Sequence, residues 1–147
     1  MSPKKFVTHN AEETENLGEY LAGFINKGMT LAFYGELGTG KTTLIRGICR
    51  GLGINHGVKS PSFVIILPYH GAEFPVYHID VYRLDSPDEL IELGPEEFFT
   101  PDNVALVEWA EKVEKILPPD RINIKMKMVP KNPDDREIII ELPYETW

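Results

Sequence analysis

The stretch from Met29 to Leu52 constrains this chain more than any other. A short apolar run, Met29-Thr30-Leu31-Ala32-Phe33-Tyr34, fits a buried strand. Gly35-Glu36-Leu37-Gly38-Thr39-Gly40-Lys41-Thr42 follows and fills the pattern G-x-x-x-x-G-K-[ST]. Leu44, Ile45, Ile48, Cys49 and Leu52 then mark one face of a helix ending near Gly53. A strand, a glycine-rich loop and a helix in this order form a phosphate-holding unit. Backbone N–H groups of such a loop point inward at an anion, and the helix presents its positive N-terminus to the same place. Lys41 adds a point charge at the β- and γ-phosphates, and the Thr42 hydroxyl is placed to ligate Mg²⁺. The bland alternative, a chance glycine-rich turn, explains neither the full pattern nor its flanks.

The rest of the chain is consistent with one α/β sheet. Its 147 residues suit one compact domain. Lys4 to His9 reads as a short strand. Asn10 and Glu13 have capping-box spacing before Leu17, Leu21, Phe24 and Ile25, with Gly28 as the stop. Phe63 to Leu67 reads as a strand cut by Pro68, and Val76 to Tyr82 as another. Ser86, Pro87 and Glu89 suit N-cap, N1 and N3 of a helix stopping near Gly94. Asn103 to Glu108 is a further strand and Ala110 to Leu117 a short helix. Arg121 to Met128 alternates, with Ile122, Ile124, Met126 and Met128 on one face. Residues 131–135 are turn-rich, and Arg136 to Leu142 completes an antiparallel hairpin. The expected fold is therefore α/β: a P-loop NTPase-like mixed sheet flanked by helices, with a C-terminal antiparallel hairpin.

A nucleotide site also needs carboxylates. Val76-Tyr77-His78-Ile79-Asp80 and Val104-Ala105-Leu106-Val107-Glu108 are apolar runs that each end in an acid. Ligands collect at the carboxyl ends of strands in open α/β sheets. Asp80 would hold Mg²⁺ directly or through water. Glu108 would orient the attacking water, accept its proton or complete the metal shell. The bland alternative for either is a solvated acid at a strand end. Strand alternation turns His78, Asp80 and Tyr82 one way and leaves Arg83 free to point elsewhere. Trp109 suits stacking at the nucleotide site or at a partner surface; the bland alternative is a core tryptophan.

Several classes are disfavoured. The net charge of -8 argues against gripping nucleic acid by bulk attraction. The one cysteine makes no internal disulfide and suits a reducing compartment. The opening MSPKKFVTHN has no apolar run of a secretory signal, and no aliphatic run spans a bilayer, so a cytoplasmic protein without membrane contact is expected. Four scattered histidines offer no zinc spacing. N-K-x-D and a following D-x-x-G are missing from the sequence, against a GTPase.

Four pieces in order, GELGTGKTT, VKSPSF, YHIDVYRL and VEWAE, resemble the TsaE (YjeE) family, the P-loop ATPases of bacterial tRNA threonylcarbamoyladenosine synthesis. The resemblance spans nearly the whole chain and implies a single P-loop ATPase domain over residues 1–147. It implies ATP/ADP and Mg²⁺ as cofactors. It implies a cofactor-binding loop at Gly38, Thr39, Gly40, Lys41, Thr42 and Thr43. It places metal ligands at Thr42, Asp80 and Glu108, with catalytic roles for Lys41, Asp80 and Glu108. It implies action on the partner proteins TsaD and TsaB, which make the modification with TsaC, so that tRNA is met only indirectly. Ser60-Pro61-Ser62-Phe63 matches the family's switch-like S-P-T-[FY] segment, with Ser62 where Thr is usual. The adenine contacts are expected either near Thr8, Asn10 and Glu13 or at Arg136. Two rival readings are a small-molecule kinase, which would carry an arginine-bearing lid, and a non-catalytic nucleotide-dependent switch.

Overall fold

The computed structural model describes residues 3–36, 38–54, 66–70 and 72–143. Seven strands form one sheet: β1 (Lys4–Thr8), β2 (Thr30–Tyr34), β3 (Ile66–Tyr69), β4 (Val76–Asp80), β5 (Val104–Glu108), β6 (Ile122–Val129) and β7 (Asn132–Glu141). Their spatial order is β1-β7-β6-β2-β5-β4-β3. The middle four, β6, β2, β5 and β4, run parallel; β7 and β3 run antiparallel to their neighbours. The sheet is therefore mixed, and the C-terminal hairpin is its β6–β7 pair.

Alternation along the strands divides the core in two. Leu31, Phe33, Leu106, Ile124 and Ile138 face α1 (Ala11–Ala22) and α2 (Lys41–Gly51), meeting Leu21, Leu44, Ile45 and Ile48. Ala32, Ile79, Ala105 and Val107 face the other way, against Leu90 of α3 (Pro87–Glu92), Val113 and Leu117. The central strand β2 is covered on both sides, which is why its residues read as a continuous apolar run rather than an alternating one.

α1 starts as its sequence requires: the Asn10 side chain accepts from the Glu13 N–H at 2.8 Å, and the Glu13 carboxylate takes the His9 N–H at 2.9 Å. It ends at Ala22 rather than near Gly28, because Gly23, Phe24 and Ile25 continue as tighter turns. α1 packs on α2 with almost no separation. A Cβ on Gly47 would collide with the Glu15 carbonyl, and one on Gly18 with the Leu44 carbonyl.

Several sequence expectations are corrected. The helix expected over Ala110 to Leu117 is two 3₁₀ turns, Ala110–Lys112 and Glu114–Ile116. Pro68 does not cut β3 but sits within it, tolerated because β3 is the sheet's edge strand. β4 ends at Asp80, so Tyr82 lies in the following turn. β7 begins at Asn132, inside the stretch expected to be a turn, and pairs Asn132 with Val129 next to a bulge. Met128, expected on the buried face, is half exposed and sits at the register shift between Met128 and Val129. At α3 the Ser86 side chain makes no cap bond; Glu89 instead accepts the Asp85 N–H at 3.0 Å.

Candidate functional site

The site lies where β2, β4 and β5 end together. The parallel register pairs Phe33 with Glu108 and Glu108 with Asp80. The loop leaving β2 therefore meets both strand-end acids at one level. Gly35 turns the loop past β6: a Cβ there would stand 2.6 Å from the Met126 carbonyl. Gly40 caps α2 in the left-handed region at φ 94°, a backbone shape other residues rarely adopt. The Thr39 hydroxyl closes the loop on the Glu36 carbonyl at 2.9 Å, and the Leu44 N–H bonds the Gly40 carbonyl at 2.9 Å.

Lys41 opens α2 and is buried. Its ammonium donates to the Gly35 and Glu36 carbonyls and lies 3.6 Å from the centre of the Trp109 ring. Burial lowers its pKa from the ordinary lysine value, while Glu111, Glu108 and Asp80 pull the other way. Trp109 holds a left-handed backbone, φ 60° and ψ 40°, the one such non-glycine residue among those described. That shape costs a bulky residue about 1–3 kcal/mol, and strain of this kind gathers at functional sites. It lays the indole against both Lys41 and Tyr82, whose ring centre is 4.8 Å away. The ring thus stands at the site while also packing, partly buried, against the second core cluster.

Thr42 and Glu108 are brought together: the hydroxyl donates to Glu108 Oε1 at 3.3 Å. Glu108 is buried, and its other oxygen, Oε2, lies 2.6 Å from His78 Nε2. His78, fully buried, reaches the Tyr69 hydroxyl through Nδ1 at 2.9 Å. Asp80 Oδ1 accepts the Tyr82 N–H at 2.9 Å. Arg136, at the other edge of the loop, donates to the Gly38 carbonyl at 3.2 Å. Because Thr8 pairs with Arg136 across β1 and β7, the two regions considered for adenine contact form one corner beside the loop. Ser60-Pro61-Ser62-Phe63 lies outside the described residues.

The donors at this corner fit Mg²⁺. They are hard oxygens, a hydroxyl and two carboxylates, and Mg²⁺ is commonly held by one or two carboxylates together with nucleotide phosphates and water. Among the described residues no group of three or more His, Cys, Asp or Glu could hold a metal alone.

Sequence reasoning singled out the strand-end acids and the loop, and the fold brings them together. It did not find the link from Glu108 through His78 to Tyr69, nor Glu111. Burial raises the pKa of the Glu111 carboxyl, opposed by Lys41 and by backbone N–H groups of Glu111 and Gly35. The spacing of His78 two residues before Asp80 is a signal for the former; Glu111 closes the VEWAE stretch, which by itself gives it no role.

The fold and this corner define a P-loop NTPase-like α/β protein, a mixed seven-stranded sheet with the glycine loop at the end of its central strand. Comparison narrows the class. Residues 8–138 match the sequence model of the family described as "Threonylcarbamoyl adenosine biosynthesis protein TsaE", and the chain belongs to that family. It is 43% identical to the Bacillus subtilis tRNA threonylcarbamoyladenosine biosynthesis protein TsaE, across 94% of this chain and 85% of that one. It is 31% identical to the Treponema pallidum protein of the same name, across 91% and 97%. The crystal structure of Bacillus subtilis YdiB superposes with a TM-score of 0.83 at 38% identity, covering 97% of this chain and 87% of that one. TsaE proteins take part in tRNA threonylcarbamoyladenosine biosynthesis. Among the described residues no helix is long and apolar enough to cross a membrane.

Proposed function

We propose that this chain binds ATP with Mg²⁺ and hydrolyses it, and that the cycle serves tRNA threonylcarbamoyladenosine formation by acting on the partner proteins TsaD and TsaB. One observation carries the reading: the Thr42 hydroxyl at the head of α2 meets the Glu108 carboxylate at the end of β5, with Asp80 in register beside it. These oxygens converge where the loop backbone and Lys41 converge, and a metal–phosphate ligand needs both.

In this reading the backbone from Gly38 to Thr43 and the Lys41 ammonium hold the phosphate chain. Thr42 and Glu108, with Asp80, would hold Mg²⁺, which when bound neutralises charge developing on the β- and γ-oxygens. Glu108 would alternatively orient the attacking water or accept its proton. Arg136 and the Thr8 corner flank the loop on the side left for the base.

Two variants test the assignment. Lys41→Ala is expected to weaken ATP binding or abolish turnover, because phosphate oxygens lose their cation. Asp80→Ala is expected to reduce Mg²⁺-dependent phosphate release far more than ADP affinity, since the metal matters most as charge moves in the transition state. Calorimetry with ADP and a phosphate-release assay read the two effects. Normal Mg²⁺-dependent turnover in Asp80→Ala would make that acid an ordinary strand end. Phosphate transfer to a small acceptor instead of water would favour a kinase, and nucleotide binding with no phosphate release even beside partners would favour a switch.

A further inference from the structure

Glu108 Oε2 meets His78 of the neighbouring strand and, through its ring, Tyr69. His78 and Asp80 share a strand face, two residues apart on β4, and Glu108 ends the neighbouring strand β5. His78 is fully buried in the α1–α2 side of the core. An ionised carboxylate only accepts hydrogen bonds, so the 2.6 Å contact requires the proton on His78 Nε2. In the neutral Nε2–H tautomer the ring accepts at Nδ1, where the Tyr69 hydroxyl stands 2.9 Å away. The series runs Tyr69, His78, Glu108 Oε2, with Glu108 Oε1 left facing the Thr42 hydroxyl.

We propose that Tyr69 and His78 are positioning residues: Tyr69 sets the tautomer of His78, and His78 holds Glu108 so that its Oε1 is presented toward Thr42 and the metal position. This rests on the Mg²⁺–nucleotide reading of the site. A buried acid pinned at one oxygen loses few rotamers when the other oxygen engages a cation, and partners of this kind typically tune metal affinity or activity about 10–100-fold. The buried pair is otherwise hard to explain as packing, since an apolar pair of similar volume would pack there without the cost of desolvating a carboxylate.

The test uses Mn²⁺ as the metal probe, titrated into the full chain with ADP and read as free Mn²⁺ by electron paramagnetic resonance. His78→Ala is expected to weaken Mn²⁺ binding about 10–100-fold. Tyr69→Phe, which keeps the ring and removes one hydroxyl, is expected to weaken it in the same direction by less. ADP affinity without divalent ions is expected to stay unchanged in both. His78→Gln, whose amide N–H can still donate, is expected to recover much of the loss. On a Glu108→Gln background neither change should cost anything further. Should His78→Ala fail to fold by thermal melting, Tyr69→Phe carries the same comparison. Wild-type Mn²⁺ affinity in Tyr69→Phe and in folded His78→Ala, or a loss undiminished on the Glu108→Gln background, overturns the positioning role while leaving the site reading intact. No nucleotide-dependent Mn²⁺ binding by the wild-type chain defeats both.

Discussion

Lys41 is where charge, burial and an aromatic ring compete for one ammonium. The Gly35 and Glu36 carbonyls and the Trp109 face hold it, and burial lowers its pKa. A phosphate chain would stabilise the charged form and raise that pKa. Between the lowered and the raised values, binding must therefore take up a proton. The sign follows: ADP affinity should be level below the lowered value, where the ammonium is charged in either case. It should fall as pH rises through the lowered value of the free protein. Calorimetry at alkaline pH in two buffers of different ionisation enthalpy should show net proton uptake, lost in Lys41→Met. Cys49 gives the opposite lesson. Burial pushes its thiol up to about 12, so it should resist thiol reagents until the chain unfolds, measured by labelling with and without denaturant.

The contact between α1 and α2 holds the loop's helix in place. Gly47 of α2 lies directly on the Glu15 carbonyl of α1, and Gly18 of α1 on the Leu44 carbonyl of α2. Arg50 ties the same pair from outside, reaching Glu15 at 2.9 Å and Glu19 at 2.7 Å. Exposed ion pairs of this kind contribute little, about 0–1 kcal/mol. The glycine contact should matter more, since backbone cannot move aside as a side chain can. Gly47→Ala should favour the helix intrinsically by about 1 kcal/mol. It should nonetheless destabilise the protein by about 3 kcal/mol through overpacking. Thermal melts of Gly47→Ala beside Arg50→Ala would rank the two; a Gly47→Ala protein as stable as wild type would show that the helices separate freely. Because α2 carries Lys41 and Thr42, the same substitution should also weaken nucleotide binding.

At the level of the whole molecule, three of the described arginines are held by the chain itself. Arg50 is turned to α1, Arg121 to Glu114 and Asn123, and Arg136 to the Gly38, Pro133 and Asp135 carbonyls. Arg46 lies exposed on the flank of α2. A missing transition-state cation can cost about 10³-fold or more in rate. The isolated chain is therefore expected to bind ATP and hydrolyse it slowly, and TsaD with TsaB to accelerate it. Steady-state phosphate release, measured alone and with both partners, decides; fast turnover by the chain alone, indifferent to partners, would mark an independent enzyme. The net charge of -8 fits docking on proteins better than gripping tRNA.

The loop pattern, the alternation of β6 and the apolar runs ending in Asp80 and Glu108 were legible in the sequence because each is local. A glycine loop, a strand period and a cap depend on neighbours a few residues away. Pro68 within β3 and the early start of β7 were not, since edge position and hairpin register belong to the assembled sheet. Trp109 is the sharpest division. Its place after Glu108 was readable, but its left-handed backbone and its contact with Lys41, 68 residues earlier by number, exist only once β2 and β5 pair. The same holds for Tyr69, His78, Glu108 and Thr42, which come from β3, β4, β5 and α2. The sequence alone determined that a phosphate-holding loop and two strand-end acids would exist. Tertiary structure decided which oxygen of Glu108 faces Thr42, because hydrogen bonds between distant segments form only when packing brings them within about 3 Å.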